Sequence, residues 1–94
     1  MFTGIIEEVG TVSSFKKNSS GAEIGISCKK ITEDISLGDS IAVSGTCQTV
    51  IKFDTSSFVV QASNETLRCT NFEKFFIGKK VNLERALTLS SRLG

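Results

Sequence analysis

Apolar residues recur along this chain in short alternating or β-branched runs, and clusters of Gly, Ser, Asn and Asp divide them. FTGIIEEVGTVSSF (2–15) predicts a long strand bent at Gly10, and KKNSSG (16–21) predicts a turn. In AEIGISCK (22–29), Ile24, Ile26 and Cys28 share one face of a second strand. ITEDISLGD (31–39) holds one helical turn and then a Gly-Asp turn. Strands follow at 40–44 and 46–53. DTSS (54–57) turns the chain, and 58–62 returns to make a hairpin. SNETLRCTNF (63–72) predicts a short helix, with Ser63 or Asn64 as N-cap and Glu65 in its first turn. FFIGKK (75–80) leads through a glycine turn into a last strand at 81–87.

About six short strands with turn signals between them predict an all-β fold, a small antiparallel barrel with one or two short helical turns. Closure also removes the unpaired rims of an open sheet. Ninety-four residues predict a single domain. No internal repeat, low-complexity tract or linker stands out. TLSSRLG (88–94) lies past the last strand and reads either as a polar tail or as the point where a longer chain was cut.

The stretch VSGTCQTVIKF (43–53) is unusually polar for a strand. Alternation puts Cys47, Thr49, Ile51 and Phe53 on one face and Thr46, Gln48, Val50 and Lys52 on the other. The first set ends in two large apolar side chains, which predicts that it faces inward, with Cys47 and Thr49 at a mouth of the barrel. An unpartnered hydroxyl there costs roughly 1–3 kcal/mol. A backbone carbonyl, a water or a ligand has to meet it, and ligand sites favour barrel mouths.

Charge narrows the function. Eleven Lys and Arg against ten Asp and Glu leave a net charge of +1, which gives no electrostatic reason for a nucleic-acid or anionic-membrane partner. A barrel for single-stranded nucleic acid needs a basic groove with exposed aromatics, and Phe is the sole aromatic type here. No apolar run approaches the ~20 residues of a membrane span, and the start lacks the layout of a signal peptide. Cys28, Cys47 and Cys69 form no C-x-x-C, which argues against a zinc or redox site. Three unpaired cysteines fit the cytoplasm. The chain has no His, so Ser-His-Asp and Cys-His mechanisms and His-based metal sites are excluded within it. Glu65 and Arg68, three apart, read as a surface ion pair. Glu84 and Arg85 read as solvated.

MFTGIIEEVG (1–10), GDSIAVSGTCQTV (38–50), NETLRCTNF (64–72) and GKKVNLERAL (78–87) together resemble the amino-terminal half of the riboflavin synthase family, in the family's order and spacing. The resemblance implies a six-stranded Greek-key barrel, the first of two such repeats in a chain that assembles as trimers. The isolated amino-terminal half resembles modules that dimerise and still hold ligand. The resemblance further implies that each barrel binds one 6,7-dimethyl-8-ribityllumazine or riboflavin. Two lumazines then exchange a four-carbon unit to give riboflavin and a ribitylamino-pyrimidinedione, with no cofactor or metal. Much of the reactivity lies in the electron-poor pteridine, so the protein mainly holds two rings in register, an effect worth roughly 7–11 kcal/mol.

Carried over by position, the ligand contacts fall at Gly4, Ile5 and Ile6, at Cys47, Gln48 and Thr49, and at Gln61, Ala62, Ser63, Asn64, Glu65 and Thr66. Phe2, Ser40 and Cys47 match positions tied to activity, although Phe2 also reads as a core plug and Ser40 as the end of a turn. The family commonly carries Asn, a small apolar residue, Cys and Leu where Ser44, Thr46, Cys47 and Gln48 stand. Alternation expects Gln48 to point away from the interior. The rival within the fold is a non-catalytic carrier resembling the lumazine and yellow fluorescent proteins. Cys47 and the opening Phe2-Thr3-Gly4 favour the synthase.

Overall fold

The structure, a computed structural model, describes residue 2 and residues 4–86. The expected tail and the end of the last predicted strand lie outside the described residues. Six strands, β1 (Glu8–Asn18), β2 (Gly21–Ser27), β3 (Ser40–Val43), β4 (Thr46–Phe53), β5 (Ser57–Ser63) and β6 (Lys80–Arg85), close into an antiparallel barrel in the order β1-β2-β5-β4-β3-β6. One helix, α1 (Asn64–Cys69), and two 3₁₀ turns, Ile31–Asp34 and Phe72–Lys74, complete it. The first strand begins later than its sequence suggests, because residues 4–7 form an arm ahead of β1.

Side chains fill the interior. Val12, Ile24, Ile26, Ile41, Val43, Val50, Phe58, Val60, Val81 and Leu83 are each almost fully buried, and Ile31, Leu67 and Phe72 join them from the helical segments. The barrel is a packed core, with most of its polar side chains on the outside.

That packing overturns the expected faces of β4. Gln48 and Val50 point inward, 4% and 1% exposed, while Cys47 and Thr49 are exposed on the outer wall. The cause is a bulge. The β4–β5 register shifts between Val50 and Lys52, so Phe53 stands opposite the buried Phe58 although Thr49 stands opposite Gln61. One extra residue reverses the alternation, so the facing of Phe53 says nothing about Cys47. Ser44 (φ 48°) and Gly45 (φ 85°) join β3 to β4. Both lie at positive φ, as a two-residue type I′ hairpin requires.

The folded chain also contains a repeat that its sequence hides. A rotation by half a turn carries β1, β2 and β3 onto β4, β5 and β6. β1 and β4 bulge at matching places, between Val12 and Ser14 and between Val50 and Lys52. The turn before β3 bonds Gly38 N–H to Val50 O and Val50 N–H to Asp39 O. The turn before β6 bonds Gly78 N–H to Val12 O and Val12 N–H to Lys79 O. Gly38 and Gly78 both sit at positive φ. The pairing of Ser40 with Thr49 is matched by that of Lys80 with Thr11. The second half differs chiefly by inserting α1.

Candidate binding wall

The outer faces of β3, β4 and β5 form the candidate site. Ser40 opens β3 directly opposite Thr49 of β4, which lies opposite Gln61 of β5, giving one cross-strand row of two hydroxyls and an amide. Cys47 and Ser63 share that face by alternation, one step nearer α1. Ser63 caps α1: its hydroxyl oxygen accepts the Thr66 N–H at 3.1 Å, and its hydroxyl donates to Thr66 Oγ1 at 3.0 Å. Asn64 is exposed, and its side-chain amide donates to the Ser19 carbonyl at 3.2 Å, tying α1 to the β1–β2 turn. Glu65 is exposed beside it.

The arm crosses the neighbouring part of the same wall. Gly4 and Ile6 line an open cleft of about 220 Å³ together with Ala42, Gly45, Asn82 and Glu84. Both oxygens of Glu84 accept the Gly4 N–H, at 3.1 and 3.2 Å. Arg85 pairs with Glu7 at 2.7 Å. The expectation that Glu84 and Arg85 are solvated is therefore corrected. Glu84 is 8% exposed and Arg85 half-buried, because both are engaged by the arm. Ile5 and Ile6 remain 69% and 53% exposed. Phe2 is half-buried ahead of the arm. On α1, Glu65 and Arg68 form no ion pair; those recorded among the described residues are Glu7–Arg85 and Glu23–Lys52.

The structure thus gathers Gly4, Ile6, Ser40, Cys47, Thr49, Gln61, Ser63 and Thr66 along one outer wall, running from the arm across β3 to the start of α1. It turns the side chains of Gln48 and Ala62 into the core, away from that wall. Ala42, Asn82 and Glu84 were not legible as site residues. The strand pairing Glu84–Ala42–Cys47 brings Ala42 and Glu84 there, and Asn82 shares the face of Glu84 on β6. Such a wall can offer donors and acceptors to the edge of a flat heterocycle and hydroxyl partners to a polyol.

Residues 3–86 match the lumazine binding domain. The chain belongs to the lumazine-binding domain family. This lumazine-binding domain is 49% identical over 94 residues to the riboflavin synthase of Bacillus subtilis (strain 168), covering the whole of this chain and 44% of that protein. It is 43% identical over 95 residues to the riboflavin synthase of Schizosaccharomyces pombe, covering 46% of it, and 41% identical to that of Saccharomyces cerevisiae. The chain spans less than half the length of these relatives and is homologous to their amino-terminal part.

Proposed function

We propose that this domain binds 6,7-dimethyl-8-ribityllumazine and riboflavin on its outer wall, as the first of two barrels of a cytoplasmic riboflavin synthase. The observation that carries the proposal is the Ser40–Thr49–Gln61 row, flanked by Cys47 and Ser63. Its polar groups stand at strand-fixed spacings on a rigid barrel, the condition for reading a heterocycle's edge. Thr49, Gln61 and Ser63 supply polar side chains, and the segment from Asn64 to Thr66 borders the ring. Cys47, Ser40 and Phe2 serve the transfer step.

One wall holds one ring, and dismutation joins two. The exposed Ile5 and Ile6 of the arm suit apposition of a second barrel, which in the isolated domain is a second copy. The single domain accordingly binds ligand but turns it over poorly.

Titration with riboflavin, followed by flavin fluorescence and absorption, tests the binding. One equivalent per chain is expected to quench and shift the flavin band. Thr49→Val is expected to weaken binding about tenfold, one lost hydrogen bond's worth, with the melting temperature unchanged. Saturable binding that ignores both Thr49→Val and Gln61→Ala would place the ligand elsewhere. A turnover assay on the two-barrel protein separates a synthase from a chromophore carrier.

A further inference from the structure

The internal half-turn assigns each of the five strand residues of the candidate wall a counterpart. Thr49 maps onto Thr11, Gln61 onto Ser27, Cys47 onto Val9, Ser40 onto Lys80 and Ser63 onto Lys29, following the matched pairings Thr49–Gln61 with Thr11–Ser27 and Ser40–Thr49 with Lys80–Thr11. These counterparts line a hollow of their own, of about 350 Å³, on the opposite flank of the barrel. The same backbone frame is therefore presented twice.

The chemistry of the second frame differs in one direction. Two hydroxyls of the first wall, Ser40 and Ser63, are replaced by two ammonium groups, Lys80 and Lys29. Thr11 keeps the hydroxyl of Thr49, Ser27 sets a hydroxyl where Gln61 has an amide, and Lys80 Nζ donates to Thr11 Oγ1 at 3.0 Å, which holds that ammonium over the floor of the hollow. Val9 supplies an apolar flank and is 57% exposed. The acidic residue of the hollow, Glu8, is already engaged, accepting the backbone N–H groups of Lys29, Lys30 and Ile31. Cys28 is buried, and burial with the nearby Glu8 charge pushes its thiol up to about 11, so it adds no negative charge.

We infer that the hollow between β1, β2 and β6 is a second binding site, which takes the phosphate group of a small phosphorylated molecule between Lys29 and Lys80. Two ammonium groups and two hydroxyls suit a dianion with several acceptor oxygens. The volume lies at the lower end of small-molecule pockets, roughly 300–1,000 Å³, which fits a compact phosphate ester with its apolar part on Val9. The inference uses the wall's strand geometry but not the identity of the wall's ligand.

Titrations of the amide nitrogen–proton spectrum with inorganic phosphate and with phenyl phosphate test it. Saturable shifts are expected at Thr11, Ser27, Lys29 and Lys80, with phenyl phosphate binding more tightly and also shifting Val9. Equal affinity for the two probes would assign the site to free phosphate and overturn the ester. Lys29→Gln and Lys80→Gln are each expected to weaken binding about tenfold, while Lys16→Gln, elsewhere on β1, leaves it unchanged. Shifts that never saturate, or that survive the Lys29→Gln/Lys80→Gln pair, overturn the site. Riboflavin should move Thr49, Gln61 and Ser63 in wild type and in Lys80→Gln alike. Failure of riboflavin alone would leave the hollow standing, and failure of phosphate alone would leave the wall standing.

Discussion

Glu84 holds the backbone of Gly4, eighty positions away in sequence, with both carboxylate oxygens. A carboxylate on the outer face of a strand is ordinarily wet, yet this one is 8% exposed because the arm lies across it. The contact fixes where the arm runs and so shapes the cleft beside β3.

Removing that acceptor should release the arm. Glu84→Ala is expected to lower stability by about 1–3 kcal/mol, to speed proteolytic cutting at residues 4–7, and to weaken riboflavin binding. Glu84→Gln keeps one acceptor oxygen and is expected to fall between. Thermal melts and timed proteolysis read the effect. Equal cutting rates in all three proteins would show that the arm is held by something else.

Glu8 should make the fold sensitive to acid. Burial on its own raises this carboxyl, but the backbone N–H groups of Ile31, Lys29 and Lys30 outweigh it and bring it below its usual value of 4.5. A group whose folded pKa is lowered stabilises the fold fully above its unfolded pKa and loses that effect as pH falls through the folded one. Melting temperature should therefore decline from about pH 5 downward, and Glu8→Gln should be less stable at neutral pH with a flatter decline. Asp54, lowered chiefly by the Ser56 backbone N–H, titrates in the same direction, so Asp54→Asn is the companion measurement.

Gln48 should be more useful to the fold as leucine. Its side chain turns inward, 4% exposed, opposite Ile41, which is fully buried. Exchanging a buried amide for a hydrocarbon of similar size is expected to stabilise by about 1 kcal/mol, or roughly 4–8 °C in a domain of this length. Riboflavin affinity should not change, because the side chain faces away from the wall. A drop in affinity would show that Gln48 reaches the ligand after all.

The strands and the closed barrel were legible because short runs of Val and Ile between Gly, Asn and Asp leave few alternatives. The helix start was legible to within one residue, with Ser63 or Asn64 as the cap before an acidic first turn, and the structure selects Ser63. The facing of Cys47 was not. Alternation carries information only while the ladder keeps step, and the bulge after Val50 leaves no mark in the composition. The internal half-turn was hidden too. Of its traces, LGDSIAV (37–43) and IGKKVNL (77–83) keep the apolar-Gly-x-x-apolar-x-apolar spacing, but their polar residues have diverged and α1 interrupts the period. The role of Glu84 depends on a contact spanning nearly the whole chain, which local patterns do not encode.

The strand order has a consequence for how this molecule can come apart. β3 pairs with neither of the two strands that precede it. It lies between β4 and β6, both from the other half of the chain. Each half lends a strand to its neighbour and is left with a gap, so neither can be a closed body alone. Severed at the Ser44–Gly45 hairpin, the two fragments should be unstructured apart and should reassemble on mixing.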